Sequence, residues 1–118
     1  MKKIEAIIRP HKQEELLQAL AKSDALSEGS ALGVTVLDTV GFGRQKGHSE
    51  VYRGVEHDFG LVPKRMLIMY VDDEQVDGAV KLITEIARTG EAGDGKIAVL
   101  PVEDLTRIRT GEAGVTAL

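Results

Sequence analysis

The 118-residue chain contains no cysteine and no tryptophan, and it has only two phenylalanines and two tyrosines. The lack of cysteine excludes disulfide bonds, thiolate metal ligands and thiol nucleophiles. The scarcity of aromatic side chains argues against a surface on which nucleic-acid bases stack. A chain of this length forms one compact domain, so we expect a single domain over residues 1–118 with an aliphatic core.

Long hydrophobic runs and an excess of positive charge are also missing. The longest apolar run, "MLIMYV", is far shorter than the roughly 20 residues that span a bilayer. The N-terminal "MKKIEAIIRPHK" has no apolar stretch followed by a cleavage site, so no secretory signal is predicted. The formal net charge of -4 argues against broad nucleic-acid binding. We therefore expect a soluble cytoplasmic protein that neither inserts into membranes nor binds nucleic acid.

The spacing of hydrophobic residues predicts four strands and two helices. The segments "KKIEAIIR", "VTVLDTVGFG", "KRMLIMYVDD" and "KIAVLPV" are typical of strands, and "LTRIRTG" of a short final extended segment. The segments "HKQEELLQALAKS" and "DEQVDGAVKLITEIARTG" have the apolar spacing of amphipathic helices. We expect Asp72 or Asp73 to cap the second helix and Gly90 to end it as its C′ residue.

The order of these elements, βαββαβ, predicts an α+β fold of the ferredoxin-like type. Such a fold has a four-stranded antiparallel sheet with both helices on one face. The third strand is apolar at every position of "MLIMYV", so both of its faces should be buried. Other copies of the chain are therefore expected to cover the open face of the sheet. Residues 41–60 show no sustained periodicity and are predicted to form a long functional loop.

Three segments combine glycine or extended backbone with cationic side chains. "GFGRQKG" places Arg44, Gln45 and Lys46 among glycines, and an amide oxygen such as that of Gln45 is a suitable Mg²⁺ ligand. "RIR" would place Arg107 and Arg109 on the same side of an extended segment, where an anion could lie between them.

The third segment, "GEAGDGKI", resembles a phosphate-binding P-loop but is not one. Ile97 stands where the Mg²⁺-binding hydroxyl belongs, and the predicted order is helix, turn and strand. The three glycines and Lys96 still supply amides and charge for an anion. Taken alone, the three segments are equally compatible with a basic loop, a helix end and a charged edge strand. Their occurrence together favours a phosphate site.

No catalytic or metal-binding arrangement is evident. The three histidines, His11, His48 and His57, have no ligand-like spacing, and no nucleophile–histidine–carboxylate pattern stands out. Two rival functions remain. An RNA-recognition motif shares the βαββαβ order, but its aromatic residues belong on the third strand. A nucleotide hydrolase, at most a slow ATPase, would need a water-positioning residue that is not apparent.

The chain resembles the PII (P-II) family of nitrogen-regulatory signal-transduction proteins. The motifs "MKKIEAIIRP", "GFGRQKGH" with "YRG", "ARTG" followed by "GDGKI", and "RIRTGE" occur in family order over nearly the whole chain. The resemblance implies a homotrimer, not an enzyme, with nucleotide sites in the clefts between subunits. It implies ATP and ADP as competing ligands, with Mg²⁺ and 2-oxoglutarate bound alongside ATP.

The resemblance also implies roles for individual residues. Gly33 and Thr35 would lie near the adenosine. The complete nucleotide-binding set would be Ile7, Gly33, Thr35, Gly43, Arg44, Gly93, Asp94, Gly95, Lys96, Arg107 and Arg109. Gln45 would ligate Mg²⁺ and contact 2-oxoglutarate, together with Lys46, Gly47 and Lys64.

The resemblance further implies a T-loop at about residues 43–64, which docks on a target through Arg53. The target would be a membrane transporter, for ammonium or another solute, or a regulatory enzyme. This chain departs from the family pattern in several places. His57 and Val55 stand where relatives carry a uridylylated tyrosine or a phosphorylated serine, and Ile68 stands where a glutamate is frequent. The segment "SDALSEGSALG" is longer than usual, and "HDFGLVPK" ends the T-loop differently. A nucleotide sensor with an altered effector and target is therefore the alternative.

Overall fold

A computed structural model describes residues 1–23, 33–44, 50–52, 55–57 and 59–118. The strands are β1 (Lys2–Ile8), β2 (Val34–Arg44), β3 (Glu50–Tyr52), β4 (Val55–His57), β5 (Phe59–Val71) and β6 (Lys96–Pro101). The helices are α1 (Gln13–Lys22) and α2 (Val76–Ala87). No helix within these ranges is long and apolar enough to cross a membrane.

Four strands form one antiparallel sheet in the order β2-β5-β1-β6. The β1–β5 ladder joins Ile4 to Met69, and the β1–β6 ladder joins Ile7 to Lys96. Strands β2 and β6 therefore lie at opposite edges of the sheet. The predicted ferredoxin-like fold is confirmed.

The hydrophobic core lies between one face of this sheet and the two helices. Alternate residues of β1 and β5 are buried, as the period of two in a strand requires. The helices contribute residues three to four positions apart, as predicted. The buried cluster comprises Ile4, Ala6, Ile8, Leu16, Leu20, Leu67, Met69, Val71, Ala79, Ile83 and Ala87. On the open face, Met66 and Ile68 are half-buried and Tyr70 is exposed, beside the ion pair of Lys3 and Glu5 on β1. Strand β5 therefore presents apolar side chains that the chain itself covers only partly.

The predicted start of the second helical segment is confirmed, but its predicted end is not. The Asp72 side chain accepts from the amide of Asp73, and the Gln75 side chain accepts from the amide of Asp72. This capping box opens a 3-10 turn that leads into α2. Helix α2 ends at Ala87 and Arg88 is extended, so Gly90 is not the C′ residue but lies one residue further on. Its positive φ of 91° serves the following turn instead.

The predicted loop over residues 41–60 is wrong in part. Strand β2 runs on to Arg44 and β5 begins at Phe59, with the ladder continuing from Gly41↔Val62 to Arg44↔Phe59. Strands β3 and β4 pair with each other between them. The glycines at these positions concealed the strand pattern, because glycine is rare in strand interiors. We call residues 40–44 and 59–63 the arm; the T-loop boundaries of about 43–64 thus include strand residues at both ends.

Pro63 lies inside β5 rather than before it. It pairs with Val40 of β2, whereas the ladder of β5 with β1 begins only at Arg65. At Pro63, β5 is paired with β2 on one side only and has no pairing with β1. The missing N–H group of proline is therefore tolerated at this position. The arm is a two-stranded extension of the sheet, and Val40, Phe42 and Leu61 are exposed on it.

The predicted final extended segment is also wrong. Only Thr106 forms a bridge, to Ala113, and residues 108–110 form a turn. The amide of Gly111 donates to the carbonyl of Arg107 over 2.8 Å, and Gly111 has a φ of 72°. The chain thus reverses within the segment, and Arg107 and Arg109 do not project from the same side of a strand.

Candidate anion-binding site

The candidate site is built on the turn between α2 and β6, residues 89–95, which we call the glycine turn. Gly90, Gly93 and Gly95 all have a positive φ, of 91°, 102° and 97°. Side chains with a Cβ rarely adopt this conformation, so the glycines are required by the path of the backbone. In a turn with positive-φ residues, successive backbone amides can point into one concavity, and such a concavity accepts anions.

Gly95 is further constrained by the backbone of β1. A Cβ added at Gly95 would lie 1.7 Å from the carbonyl oxygen of Ile7. This approach is possible only without a side chain. It brings together Ile7 and Gly95, two residues of the predicted nucleotide site that are far apart in sequence.

The carboxylate of Asp94 closes the glycine turn. It accepts hydrogen bonds from Thr89 N at 2.9 Å, Thr89 Oγ1 at 2.5 Å and Gly90 N at 2.8 Å. It also accepts from Arg9 Nε at 3.0 Å, and this contact is an ion pair. The carboxylate therefore joins the beginning of the turn to its end and to the residue that follows β1.

These contacts set the protonation state of Asp94. Partial burial acts to raise the pKa of the Asp94 carboxyl, but the hydrogen bonds from Thr89, Arg9 and Gly90 outweigh it. Together they hold the pKa of this carboxyl well below its usual value of 3.8. Asp94 is therefore ionised at neutral pH.

A pH dependence of stability follows from this shift. Because the pKa of Asp94 is lower in the folded state, its contribution is fully present above pH 3.8 and is lost as the pH falls toward the folded-state value. At pH 7, Asp94→Asn should lower the free energy of unfolding by about 2 kcal/mol, since hydrogen bonds to charged groups contribute about that much. Urea unfolding between pH 2.5 and 7 should show the difference from wild type shrinking below pH 4.

The matched control is Asp38→Asn. Asp38 also pairs with an arginine, Arg65, over 3.0 Å, but its side chain is 87% exposed. An exposed pair of this kind contributes about 0.2–1 kcal/mol. If the two substitutions cost the same, or if the Asp94→Asn difference does not change with pH, the described role of Asp94 is contradicted.

Two cationic side chains attach the glycine turn to neighbouring strands. Arg9 Nη2 donates to the carbonyl of Ala92 at 2.9 Å, in addition to its contact with Asp94. Lys64 Nζ donates to the carbonyl of Gly93. Lys64 is only 7% exposed, and burial lowers its pKa, as does the nearby Arg9, while Asp94 acts in the opposite direction.

Lys64 connects the turn to the arm. It pairs with Thr39 of β2 and lies one residue beyond the point where the β1–β5 ladder ends. Lys64 therefore joins the glycine turn to the base of the arm.

A cavity of about 330 Å³ adjoins the glycine turn. Its lining includes Val80, Ile83, Thr84 and Ala87 of α2, so it opens on the helix side of β6. The register places the side chain of Lys96 opposite Ile7, on the open face of the sheet. Asp94, Gly95 and Lys96 also line the cavity, so it borders the glycine turn as well as the helix.

The structure brings together about half of the predicted nucleotide-binding residues that it describes. Ile7, Gly93, Asp94, Gly95 and Lys96 meet at one corner of the sheet, and Lys64 of the predicted effector set joins them. Gly33 precedes β2 and Thr35 lies on it, at the opposite edge, about 14 Å away across three strand spacings. Gly43 and Arg44 lie on the arm. Gln45, Lys46, Gly47 and Arg53 lie outside the described residues.

Among the described residues, neither C-terminal arginine forms a hydrogen bond or ion pair with this corner. Strand β6 carries the backbone away from Lys96 by about 17 Å before their segment begins. Arg107 donates to the backbone oxygen of Leu118 at 2.7 Å and pairs with Glu112 at 3.3 Å. In the part of the chain that the structure describes, both side-chain contacts of Arg107 are thus to its own segment.

Sequence reasoning missed Arg9 and Thr89. Arg9 follows a buried strand directly and precedes Pro10, which fixes where the strand stops. Thr89 is three residues ahead of the "AGDG" run and supplies two of the donors to Asp94. The one sequence signal for Arg9 was a cationic residue at the end of β1. The neighbouring strand β6 directly follows the glycine turn.

The fold and this site define a ferredoxin-like domain with a glycine turn at one edge of its sheet and an arm extending from the other. The model of the family "Nitrogen regulatory protein P-II" matches residues 1–112. Curated proteins of that name are 47% identical in Mesorhizobium japonicum and 48% identical in Azospirillum brasilense and Nostoc punctiforme, each over the full length of both chains. The chain belongs to the P-II family, and it is therefore a signal-transduction protein of nitrogen regulation.

Proposed function

We propose that the protein is a non-enzymatic sensor that binds ATP or ADP in competition at the glycine turn. With Mg²⁺ and ATP bound, it would also bind 2-oxoglutarate, and the arm with its T-loop would report the ligand state to a target. The target would be a membrane transporter or a regulatory enzyme. The contact of Lys64 with Gly93 carries this proposal, because it joins the candidate phosphate site to the strand that forms the arm.

The chemistry of the turn supports a phosphate ligand. Lys96 is exposed beside three glycines with positive φ, and Lys64 is held within reach of the same backbone. An anion at this position would favour the charged form of Lys64, whose pKa is otherwise lowered by burial. Ligand binding and the position of the arm are thus linked through one ammonium group.

The site would be completed by a second copy of the chain, in a homotrimer. The open face is apolar at Ile7, Met66 and Ile68, and such faces are normally covered. The predicted adenosine contacts lie on one edge strand and the phosphate contacts on the other. Copies that pack side by side would bring the two edges together, and the C-terminal arginines could then reach the phosphates of a neighbour.

A changed effector or target is the second candidate, and one observation favours it. Thr35 of β2 pairs with Ile68 of β5, so an aliphatic side chain neighbours the predicted adenosine contact. The Ile68 side chain itself offers a ribose hydroxyl no carboxylate. Titration with ATP, ADP and 2-oxoglutarate, each with and without Mg²⁺, separates the two candidates.

The effector assignment makes a specific prediction for Gln45. Gln45→Ala removes the amide oxygen proposed to ligate Mg²⁺ and contact 2-oxoglutarate, so the 2-oxoglutarate response should be lost while some ATP binding remains. Isothermal titration calorimetry of both ligands is the measurement. Gln18→Ala, on α1, is a matched amide deletion away from the site. Unchanged 2-oxoglutarate affinity in Gln45→Ala would refute the assignment.

The target can be identified by capture from cell extract on the purified protein. One sample contains ADP, and the other contains Mg-ATP with 2-oxoglutarate. A partner retained in only one of them shows that ligand state controls the arm. Turnover of ATP at about 1 per second or faster would instead indicate an enzyme.

A further inference from the structure

We propose that Arg9, Thr89 and Asp94 form a clasp that holds the glycine turn in its anion-binding shape before a ligand arrives. This rests on the proposed function, since it assumes that the turn binds nucleotide phosphates. Asp94 is in this account a positioning residue that does not contact the ligand, and Arg9 is a second positioning residue that the motifs did not point to.

The hydrogen-bond capacity of Asp94 is fully used. An ionised carboxylate offers about four acceptor positions. Four donors occupy them: Arg9 Nε, the amide and hydroxyl of Thr89, and the amide of Gly90. The carboxylate has no acceptor position left for a magnesium ion or for a water that would bridge to one.

The charge of Asp94 is also compensated. An unpaired carboxylate next to phosphates would repel them, but Arg9 pairs with it over 3.0 Å and the arginine side chain is only 11% exposed. The pair contributes no net charge to the site. Among the described residues of this corner, the exposed Lys96 supplies positive charge for an anion.

Arg9 makes contacts that a lysine could not reproduce. Its Nε donates to Asp94 and its Nη2 to the carbonyl of Ala92, so one rigid guanidinium holds the turn at two points. Thr89 and Gly90 are tied to the same carboxylate at the other end. A turn fixed at both ends loses less conformational entropy when a ligand binds.

The test compares ATP affinity in Arg9→Gln, Asp94→Asn and the double variant, by calorimetry on the intact oligomer, with Mg²⁺ and with EDTA. We expect each single substitution to weaken binding about tenfold, as loss of a residue that orients ligands does. The double variant should be no weaker than the worse single one, because both break one unit. The factor by which ATP affinity falls should be the same with and without Mg²⁺. Arg9→Lys should recover only part of the affinity.

Two further variants test a milder loss within the clasp and a substitution outside it. Thr89→Val removes one donor with little change of shape and should weaken binding by a few fold even if the stronger variants fold poorly. Arg88→Gln removes an exposed arginine beside the turn that is not part of the clasp, and it should bind as wild type does. Oligomer mass and thermal unfolding establish that each variant is folded.

The possible results lead to different conclusions. Tighter ATP binding in Asp94→Asn would mean that the carboxylate faces the phosphates, and a loss confined to the Mg²⁺ samples would make Asp94 a metal ligand. Either result overturns the clasp, as do additive losses or unchanged affinity in Arg9→Gln. Absence of ATP binding by the wild-type protein would overturn the proposed function itself.

Discussion

The Gly95→Ala substitution is expected to lower the free energy of unfolding by about 4 kcal/mol or more and to abolish ATP binding. The new Cβ would lie 1.7 Å from the carbonyl oxygen of Ile7. The backbone fixes the position of a Cβ, and the oxygen is itself a backbone atom, so no side-chain rotation can relieve the contact. Either the first pair of the β1–β6 ladder must open or the glycine turn must move, and each outcome would disrupt the proposed phosphate site. Urea unfolding and calorimetry are the measurements.

Gly111→Ala is the matched control. Gly111 also has a positive φ, of 72°, but a Cβ there would have no neighbour within 4 Å. Only the backbone strain remains, which costs about 1–2 kcal/mol. We expect this variant to be moderately destabilised. Equal stability of the two variants would show that the close approach to β1 does not constrain the turn.

The core could be predicted from sequence because its determinants are local. Leu16 and Leu20 recur at helical spacing, and Ile4, Ala6 and Ile8 occupy alternate positions of β1, so the spacing within each element indicates its buried face. The capping residue Asp72 was recognisable for the same reason, since its partner Gln75 is three residues away.

The arm was predicted only in part, up to Gly43 of the second strand, because its glycines interrupt the strand pattern. Gly41, Gly43 and Gly60 pair within the β2–β5 ladder, although glycine is normally a sign of a turn. The hydrogen bonds to the neighbouring strand override the preference of glycine for turns. The periodicity of the sequence gives no information about such pairing. In the C-terminal segment the reverse occurred, because Gly111 and Gly114 turn a chain whose "RIR" pattern is typical of a strand.

The candidate site was only half visible in the sequence. Lys96 and the glycines before it form a compact motif, and they do lie together. Arg9 was not visible, because it meets Asp94 across 85 residues of sequence. Only the β1–β6 ladder, which places Ile7 beside Lys96, brings the end of the first strand to the glycine turn.

We propose that one nucleotide is held by residues of two copies of the chain. Lys96→Glu and Arg109→Glu each place a negative charge where we expect phosphate oxygens, and both side chains are exposed, so folding should not suffer. Each variant alone should lose ATP binding. In a mixed oligomer, however, the Lys96 of one copy and the Arg109 of another are still intact at one boundary.

The decisive measurement is the ATP stoichiometry of mixed oligomers, purified through a different tag on each variant. If Lys96 of one copy and Arg109 of its neighbour share a ligand, a ring of the two variants regains about one nucleotide per assembly, whichever variant is in excess. Mass determination confirms that the oligomer is unchanged, and the two unmixed variants provide the blanks. Mixed oligomers that bind no more ATP than these blanks would show that each site lies within a single chain, and the account would be contradicted.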